Sequence, residues 1–122
     1  MSHSYIFQTP RNLYEKLCRE AESLDYQIEG DNLFNFIATA YCLKDWIKKS
    51  PLNSSTVVKR FLKRLNNDNN LKLCQKIVLG DTKFEISPKK IGCQLKVDNF
   101  CVDVVNFRKD ILALYEVYFK IR

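Results

Sequence analysis

The chain combines 122 residues, a hydrophobic fraction of 46% and a formal net charge of +6. That hydrophobic fraction is ordinary for a globular protein, so a folded chain is the expectation, and no apolar run approaches the ~18 residues of a membrane helix. The length predicts one domain over residues 9–122, with a flexible tail at residues 1–8. Because that tail lacks the pattern of a secretory signal, we expect a cytoplasmic protein without a membrane partner.

The first half of the chain predicts two helices. Thr9-Pro10 is a typical helix start, since a hydroxyl cap precedes a proline in the first helical position. In the helix after it, the apolar residues recur at helical spacing and are Leu13, Leu17, Ala21 and Leu24. Asp31 is expected to cap a second helix, which is apolar around most of its circumference and runs to about Lys49. Ser50-Pro51 ends it, because proline disfavours helical geometry in the preceding residue.

The second half predicts three helices and a hairpin. A third helix covers residues 56 to about 65, and a polar break at residues 66–70 precedes a fourth helix that ends at Gly80. Residues 83–86 alternate until Ser87-Pro88 interrupts them, and residues 91–102 fit a small hairpin. A last helix runs from about Val104 to Lys120. The sequence therefore predicts a mainly α fold, a helical bundle of about five helices with a small β-hairpin before the last helix.

The cysteines and the histidine argue against a metal site or a cofactor. The five cysteines include no C-x-x-C pair, and the only histidine, His3, lies in the predicted tail. Free thiols in a reducing compartment are the expectation, and Cys74 is interpreted as a packed thiol because no histidine is available to activate it.

Positive charge is concentrated in one segment of the chain. Residues 44–64 carry a net charge of +6, with a single acidic residue, whereas the first 43 residues carry three basic and six acidic side chains. The basic residues of the segment are Lys44, Lys48, Lys49, Lys59, Arg60, Lys63 and Arg64. Such an asymmetry favours an anionic partner, and a solvated lysine-rich face that serves solubility is the alternative.

Several local patterns carry a family resemblance. Residues 35–47 resemble the central helix of one branch of the HEPN superfamily, and the pair Leu73-Cys74 with residues 80–84 resembles the end of its motif helix. The hairpin and residues 114–119 resemble the segments that come after that helix in the same family. The resemblance, to HEPN domains and their bacterial defence-associated relatives, covers about residues 33–119. It implies a helical bundle, a homodimer and, in many members, cleavage of RNA without a metal.

The chain departs from that family at the catalytic positions. Active members place an arginine in the helix and a histidine shortly after it, because imidazole moves protons near neutral pH and the guanidinium holds a phosphate. In this sequence those positions hold Gln75 and Lys83. Glutamine is uncharged and lysine is normally protonated at neutral pH, so the resemblance implies that catalysis has been lost.

The basic residues are the predicted binding surface. Lys59, Arg60, Lys63 and Arg64 lie on adjacent turns of the third helix, and the neighbouring elements extend the surface through Lys44, Lys48, Lys49, Lys72 and Lys76. We therefore expect a non-catalytic domain that contacts the backbone of RNA or DNA, or a protein partner from the same operon, in a bacterial or phage defence or toxin–antitoxin-like system. A divergent metal-independent ribonuclease using Lys83 and a purely protein-interacting subunit are the alternatives.

Overall fold

The computed structural model describes residues 9–26, 28–50, 54–80, 84–88, 93–97 and 100–120. The elements within these ranges are, in chain order, α1 (Pro10–Tyr26), α2 (Gly30–Lys48), α3 (Thr56–Asn67), α4 (Asn69–Val78), β1 (Phe84–Pro88), β2 (Cys93–Val97), β3 (Phe100–Asp103) and α5 (Val104–Lys120). The mainly α fold, with an antiparallel hairpin before the last helix, is confirmed. Among these described helices, none is long and apolar enough to cross a membrane. The predicted tail, residues 1–8, lies outside the described residues.

Helix α1 begins as its sequence predicts. The backbone N–H of Asn12 donates to the Thr9 hydroxyl at 3.3 Å, and the Thr9 N–H donates to the Asn12 side-chain oxygen at 3.1 Å. Two contacts then fix α1 against α5 in antiparallel orientation. Arg11 near the start of α1 donates to the carbonyl of Phe119 at 2.6 Å, and Asp25 near its end pairs with Arg108 at 2.8 Å.

Helix α2 lies at the centre of the bundle and packs against α1, α3 and α4. Its buried residues are Leu33, Phe36, Ile37, Thr39, Ala40, Leu43 and Ile47. The Tyr115 hydroxyl of α5 donates to the buried Ala40 carbonyl at 2.6 Å, which also links α5 to this helix. The predicted cap at Asp31 is wrong, because α2 begins at Gly30 after Glu29, which makes no side-chain cap hydrogen bond. Asp31 lies in the first turn, where a carboxylate still interacts favourably with the helix dipole.

Helices α3 and α4 are separated by one residue only. Helix α3 continues to Asn67, beyond its expected end, and Asp68 stands alone between the helices. The Asp68 carboxylate accepts from the Leu71 N–H at 3.0 Å and caps α4, while its own N–H donates to the Leu65 carbonyl at 3.2 Å. Gly80 comes after α4 with φ +76°, the left-handed conformation that glycine adopts without strain.

The strands form one antiparallel sheet with the order β1-β2-β3. The predicted hairpin is β2–β3, in which Val97 pairs with Phe100. Strand β1 pairs with β2 as a third strand. It includes Ser87 and ends at Pro88, where the sequence indicated an interruption. Proline is tolerated there because β1 is an edge strand and its missing N–H breaks no central ladder. Leu95 and Val97 of β2 are buried, and α5 packs against β2 and β3.

Candidate functional site

Helix α3 presents its basic residues on the side opposite the core. Its buried residues are Val58, Phe61 and Leu65, and at 100° per residue the opposite side carries four exposed cations. These residues, called the α3 basic face from here on, are Lys59, Arg60, Lys63 and Arg64. None of the four forms an ion pair with an acidic residue in the part of the chain that the structure describes.

The spacing within the α3 basic face is unfavourable for the helix itself. Lys59 and Lys63 are four residues apart, as are Arg60 and Arg64, so each pair places like charges on neighbouring turns. Like charges at this spacing destabilise an isolated helix by roughly 0.2–0.5 kcal/mol per pair. Arg64 in the last turn interacts favourably with the helix dipole, but the two like-charge pairs do not stabilise the helix, and an anionic ligand would remove their repulsion.

The basic residues at the end of α2 differ from those of α3. Lys44 is half-buried, while Lys48 and Lys49 are exposed in and just after the last turn. Lys49 pairs with Asp45 at 2.9 Å, and Lys48 also has an interaction partner. Cations at this position also interact favourably with the C-terminal end of the helix dipole. Although α2 packs against α3, these three lysines are the weaker part of the predicted surface, because local structure accounts for much of their charge.

Helix α4 carries the remaining predicted site residues on its exposed side. Lys72 and Lys76 line a groove of about 410 Å³ between α4 and strands β2 and β3. Gln75, the position that the HEPN resemblance assigns to the catalytic arginine, is exposed on the same helix but does not line this groove. Lys83, the position assigned to the histidine, lies outside the described residues.

The groove is a feature that sequence reasoning missed. Apolar side chains of Leu73, Val97 and Val102 contribute to its surface, and Asn69 and Asn70 lie at the α4 N-terminus. These residues come from segments that are far apart along the chain, and they line one groove only because the fold brings the hairpin near α4. The one available signal was the pair of lysines four residues apart on the outer side of α4.

The buried thiol and hydroxyl groups of this region are expected to be unreactive. Cys74 is fully buried on the inner side of α4, and this burial raises the pKa of its thiol well above its usual range. Burial likewise raises the pKa of the Tyr115 hydroxyl, which is engaged by the Ala40 carbonyl. The interpretation of Cys74 as a packed thiol agrees with this burial, because the reactive thiolate is not populated near neutral pH. Across the described ranges, no group of three or more His, Cys, Asp or Glu side chains is arranged to hold a metal ion.

The aromatic residues of α2 belong to the core and its margin. Phe36 is fully buried, and Tyr41 and Trp46 are half-buried and pack against the core. Trp46 lines a second groove, of about 340 Å³, between α1 and α2. The cation at that groove, Lys16, is neutralised by Glu20 at 2.6 Å and donates to Thr39 at 3.0 Å. The α1–α2 groove thus offers no surplus positive charge to an anion.

No family model, curated protein or solved structure matches this chain. The HEPN resemblance therefore rests on local sequence patterns alone, and membership of that family stays a prediction.

Proposed function

We propose that this protein is a non-catalytic, HEPN-like binding domain that holds the backbone of RNA or DNA on the α3 basic face. The observation that carries the proposal is the set of four exposed cations without a described acidic partner. Phosphate groups are the anions that such a row of Lys and Arg side chains binds without sequence preference. Lys72 and Lys76 extend the same charge along α4, and the lysines of α2 contribute less.

The residues near the motif positions support binding rather than catalysis. The sequence has a single histidine, His3, so the described residues include no imidazole to move a proton. Gln75 carries no charge and is exposed, and the Cys74 thiol is protonated and buried. A surface that binds phosphates without a proton-transfer group retains a strand and leaves it intact.

The biological setting of this proposal comes from the resemblance alone. It comprises a cytoplasmic homodimer in a bacterial or phage defence or toxin–antitoxin-like system, with a protein partner from the same operon as the other ligand to consider. A surface of this kind on each of two copies would double the number of phosphate contacts that one nucleic-acid strand makes.

Fluorescence-polarisation binding to labelled RNA and DNA strands across a salt series tests the proposal. Neutralising about four phosphates predicts a slope of roughly −3 for the logarithm of the association constant against the logarithm of salt concentration. The double variant K59E/K63E should weaken binding at least roughly tenfold and reduce the steepness of this salt dependence. Its matched control is K96E/K109E, which makes the same charge change at exposed lysines outside the α3 basic face.

The outcomes separate the proposal from its alternatives. Equal loss of affinity in both double variants would show that net charge, and not the α3 basic face, drives binding. Cleavage of the RNA on the same samples, increasing with pH, would support a ribonuclease that uses Lys83 as its proton carrier. No binding at low salt would overturn the proposal and leave a protein partner as the ligand of the basic residues.

A further inference from the structure

The groove between α4 and the sheet combines an apolar surface with positive charge. Leu73 of α4, Val97 of β2 and Val102 of β3 line the groove; Leu73 and Val102 are half-buried, whereas Val97 is buried. Val97 and Val102 lie on the same face of the sheet, because Val102 pairs with Leu95, two residues before Val97. A planar, weakly polar group that enters between α4 and the sheet would lose little hydration and gain contact on both sides.

The polar groups of the groove suit an anion with hydrogen-bonding edges. Lys72 and Lys76 are four residues apart, so their ammonium groups lie on one side of α4, and no acidic residue lines the groove. The side-chain amides of Asn69 and Asn70 offer donors and acceptors, and neither makes a hydrogen bond with another described residue. A ligand with one apolar plane, polar edges and a nearby negative charge would satisfy all of these groups together.

The size of the groove limits the ligand further. About 410 Å³ is near the lower end of the range for small-molecule sites, and is too small for a helix or for the surface of a folded partner. A duplex is also excluded, since its bases are stacked and paired. One unpaired nucleotide has the required parts, because its base is flat and its phosphate is charged.

We propose that the groove between α4 and the sheet takes the base of one unpaired nucleotide, with an adjacent phosphate beside Lys72 and Lys76. This inference rests on the proposed function and deepens it, since it makes single-stranded nucleic acid the preferred ligand. The capping Asp68 carboxylate would repel a phosphate at the very start of α4. The phosphate therefore lies further along the helix, where the two lysines are.

The groove residues follow the α3 basic face closely along the chain. Arg64 lies in the last turn of α3, Asn69 is the first residue of α4, and Asp68 alone separates the helices. We therefore expect a strand that is bound on the α3 basic face to continue to the groove. Phosphate contacts on α3 hold the strand without regard to base, and the groove adds a contact that only an unpaired base can make.

A comparison of three oligonucleotides of equal length tests the inference: a single strand with bases, the same strand with abasic sites, and the corresponding duplex. The single strand with bases should bind roughly tenfold more tightly than the abasic strand, because burial of one base adds apolar contact without changing the charge. The Val102→Phe variant fills the groove and should remove this difference while leaving the affinity for the abasic strand unchanged. The matched control is Val105→Phe, at an exposed α5 residue that does not line the groove.

Each outcome decides between the inference and the proposed function. Equal affinity for the strand with bases and the abasic strand would overturn the proposal that the groove binds a base. It would leave the proposed backbone binding by α3 intact. No binding to any of the three would overturn both. A base-dependent gain that persists in Val102→Phe would place the base elsewhere on the protein, and circular dichroism of both variants establishes that the fold is retained.

Discussion

Helices α1 and α3 both bury an apolar side, but the charged side chains on their outer sides differ in sign and in pairing. Helix α1 carries three basic and four acidic residues, and several of its charged side chains bind within the protein. Lys16 pairs with Glu20, Asp25 pairs with Arg108 of α5, and Arg11 donates to a carbonyl of α5. Helix α3 carries four basic residues and no acidic residue, and its cations point to solvent.

This difference separates charges that serve the fold from charges that do not. The contacts of α1 hold this helix against α5 and neutralise local charge. The fold therefore accounts for the charged residues that make these contacts. Helix α3 gains no described ion pair from its cations, which repel each other on neighbouring turns, although Arg64 in the last turn interacts favourably with the helix dipole. The anionic ligand that we propose would account for the α3 basic face, and a solvated surface that serves solubility is the alternative. Variants in each of the two helices test this difference.

The largest effect is expected from the inner side of α3. The Phe61 ring stacks on Tyr118 at 4.6 Å between centroids and meets the Tyr115 ring edge-on at 6.2 Å. The Phe61→Ala variant should therefore lower the free energy of unfolding by about 3–5 kcal/mol, measured by urea denaturation. Phe34→Ala, which removes a ring that is 39% exposed, should cost only about 1 kcal/mol. Similar costs for the two variants would mean that α3 is not anchored through Phe61.

A smaller effect is expected at alkaline pH, through the buried thiol of α4. Burial raises the pKa of Cys74 above its ordinary value of 9.0, so the folded protein keeps a proton that the unfolded chain releases. The free energy of unfolding should be unaffected by this thiol below about pH 9. Above that pH it should fall by up to about 1.4 kcal/mol per pH unit.

Variants at two cysteines isolate this contribution. Cys74→Ala should reduce the fall in the free energy of unfolding between about pH 9 and 10, whereas Cys101→Ala, at an exposed cysteine, should leave it unchanged. Tyr14 on α1, whose pKa burial raises to about 12, should add its own loss at higher pH in all variants. Denaturation at a series of pH values measures the contributions of Cys74 and Tyr14. An identical pH dependence in the two cysteine variants would rule out Cys74 as the source of the fall in the free energy of unfolding between about pH 9 and 10.

The smallest change in the free energy of unfolding is expected for charged residues on the outer sides of α1 and α3, which tests the difference between these helices most directly. Arg11→Met on α1 should cost about 1 kcal/mol, because it removes the hydrogen bond to the Phe119 carbonyl and the contact with the Phe119 ring. Lys63→Gln on α3 should change the free energy of unfolding by less than about 0.5 kcal/mol, since it removes no described contact. Thermal and urea denaturation of the two variants side by side provide the measurement. A larger cost for Lys63→Gln would mean that the α3 basic face serves the fold after all.

The helices were predictable from sequence because their signals are local. The start of α1 at Thr9-Pro10 and the end of α4 shortly before Gly80 result from the backbone preferences of the residues themselves. The prediction of a cap at Asp31 was wrong although it too relied on a local signal. Sequence reasoning expected a side-chain cap, whereas the Glu29 carbonyl accepts from the Leu33 N–H at 2.9 Å and the helix begins without one.

The features that escaped prediction depend on contacts between distant parts of the chain. The polar run at residues 66–70 indicated a long break, but packing of Leu65 and Leu71 into the core carries both helices almost to Asp68. The third strand results from the pairing of β1 with the hairpin, and the groove results from the placement of the hairpin near α4. The exposure of the α3 basic face was predictable because it needs only the helical period, whereas the groove depends on contacts that the sequence pattern does not give.

The single residue between α3 and α4 has a consequence for the thermodynamics of ligand binding. Asp68 is held on both sides, through its N–H to α3 and its carboxylate to α4, which restricts the one-residue connection between the two helices. A ligand that spans both helices therefore meets two surfaces joined by a short, hydrogen-bonded connection. The backbone of this connection loses little conformational entropy on binding, so the ordering cost falls on the ligand and on the long Lys and Arg side chains that contact it.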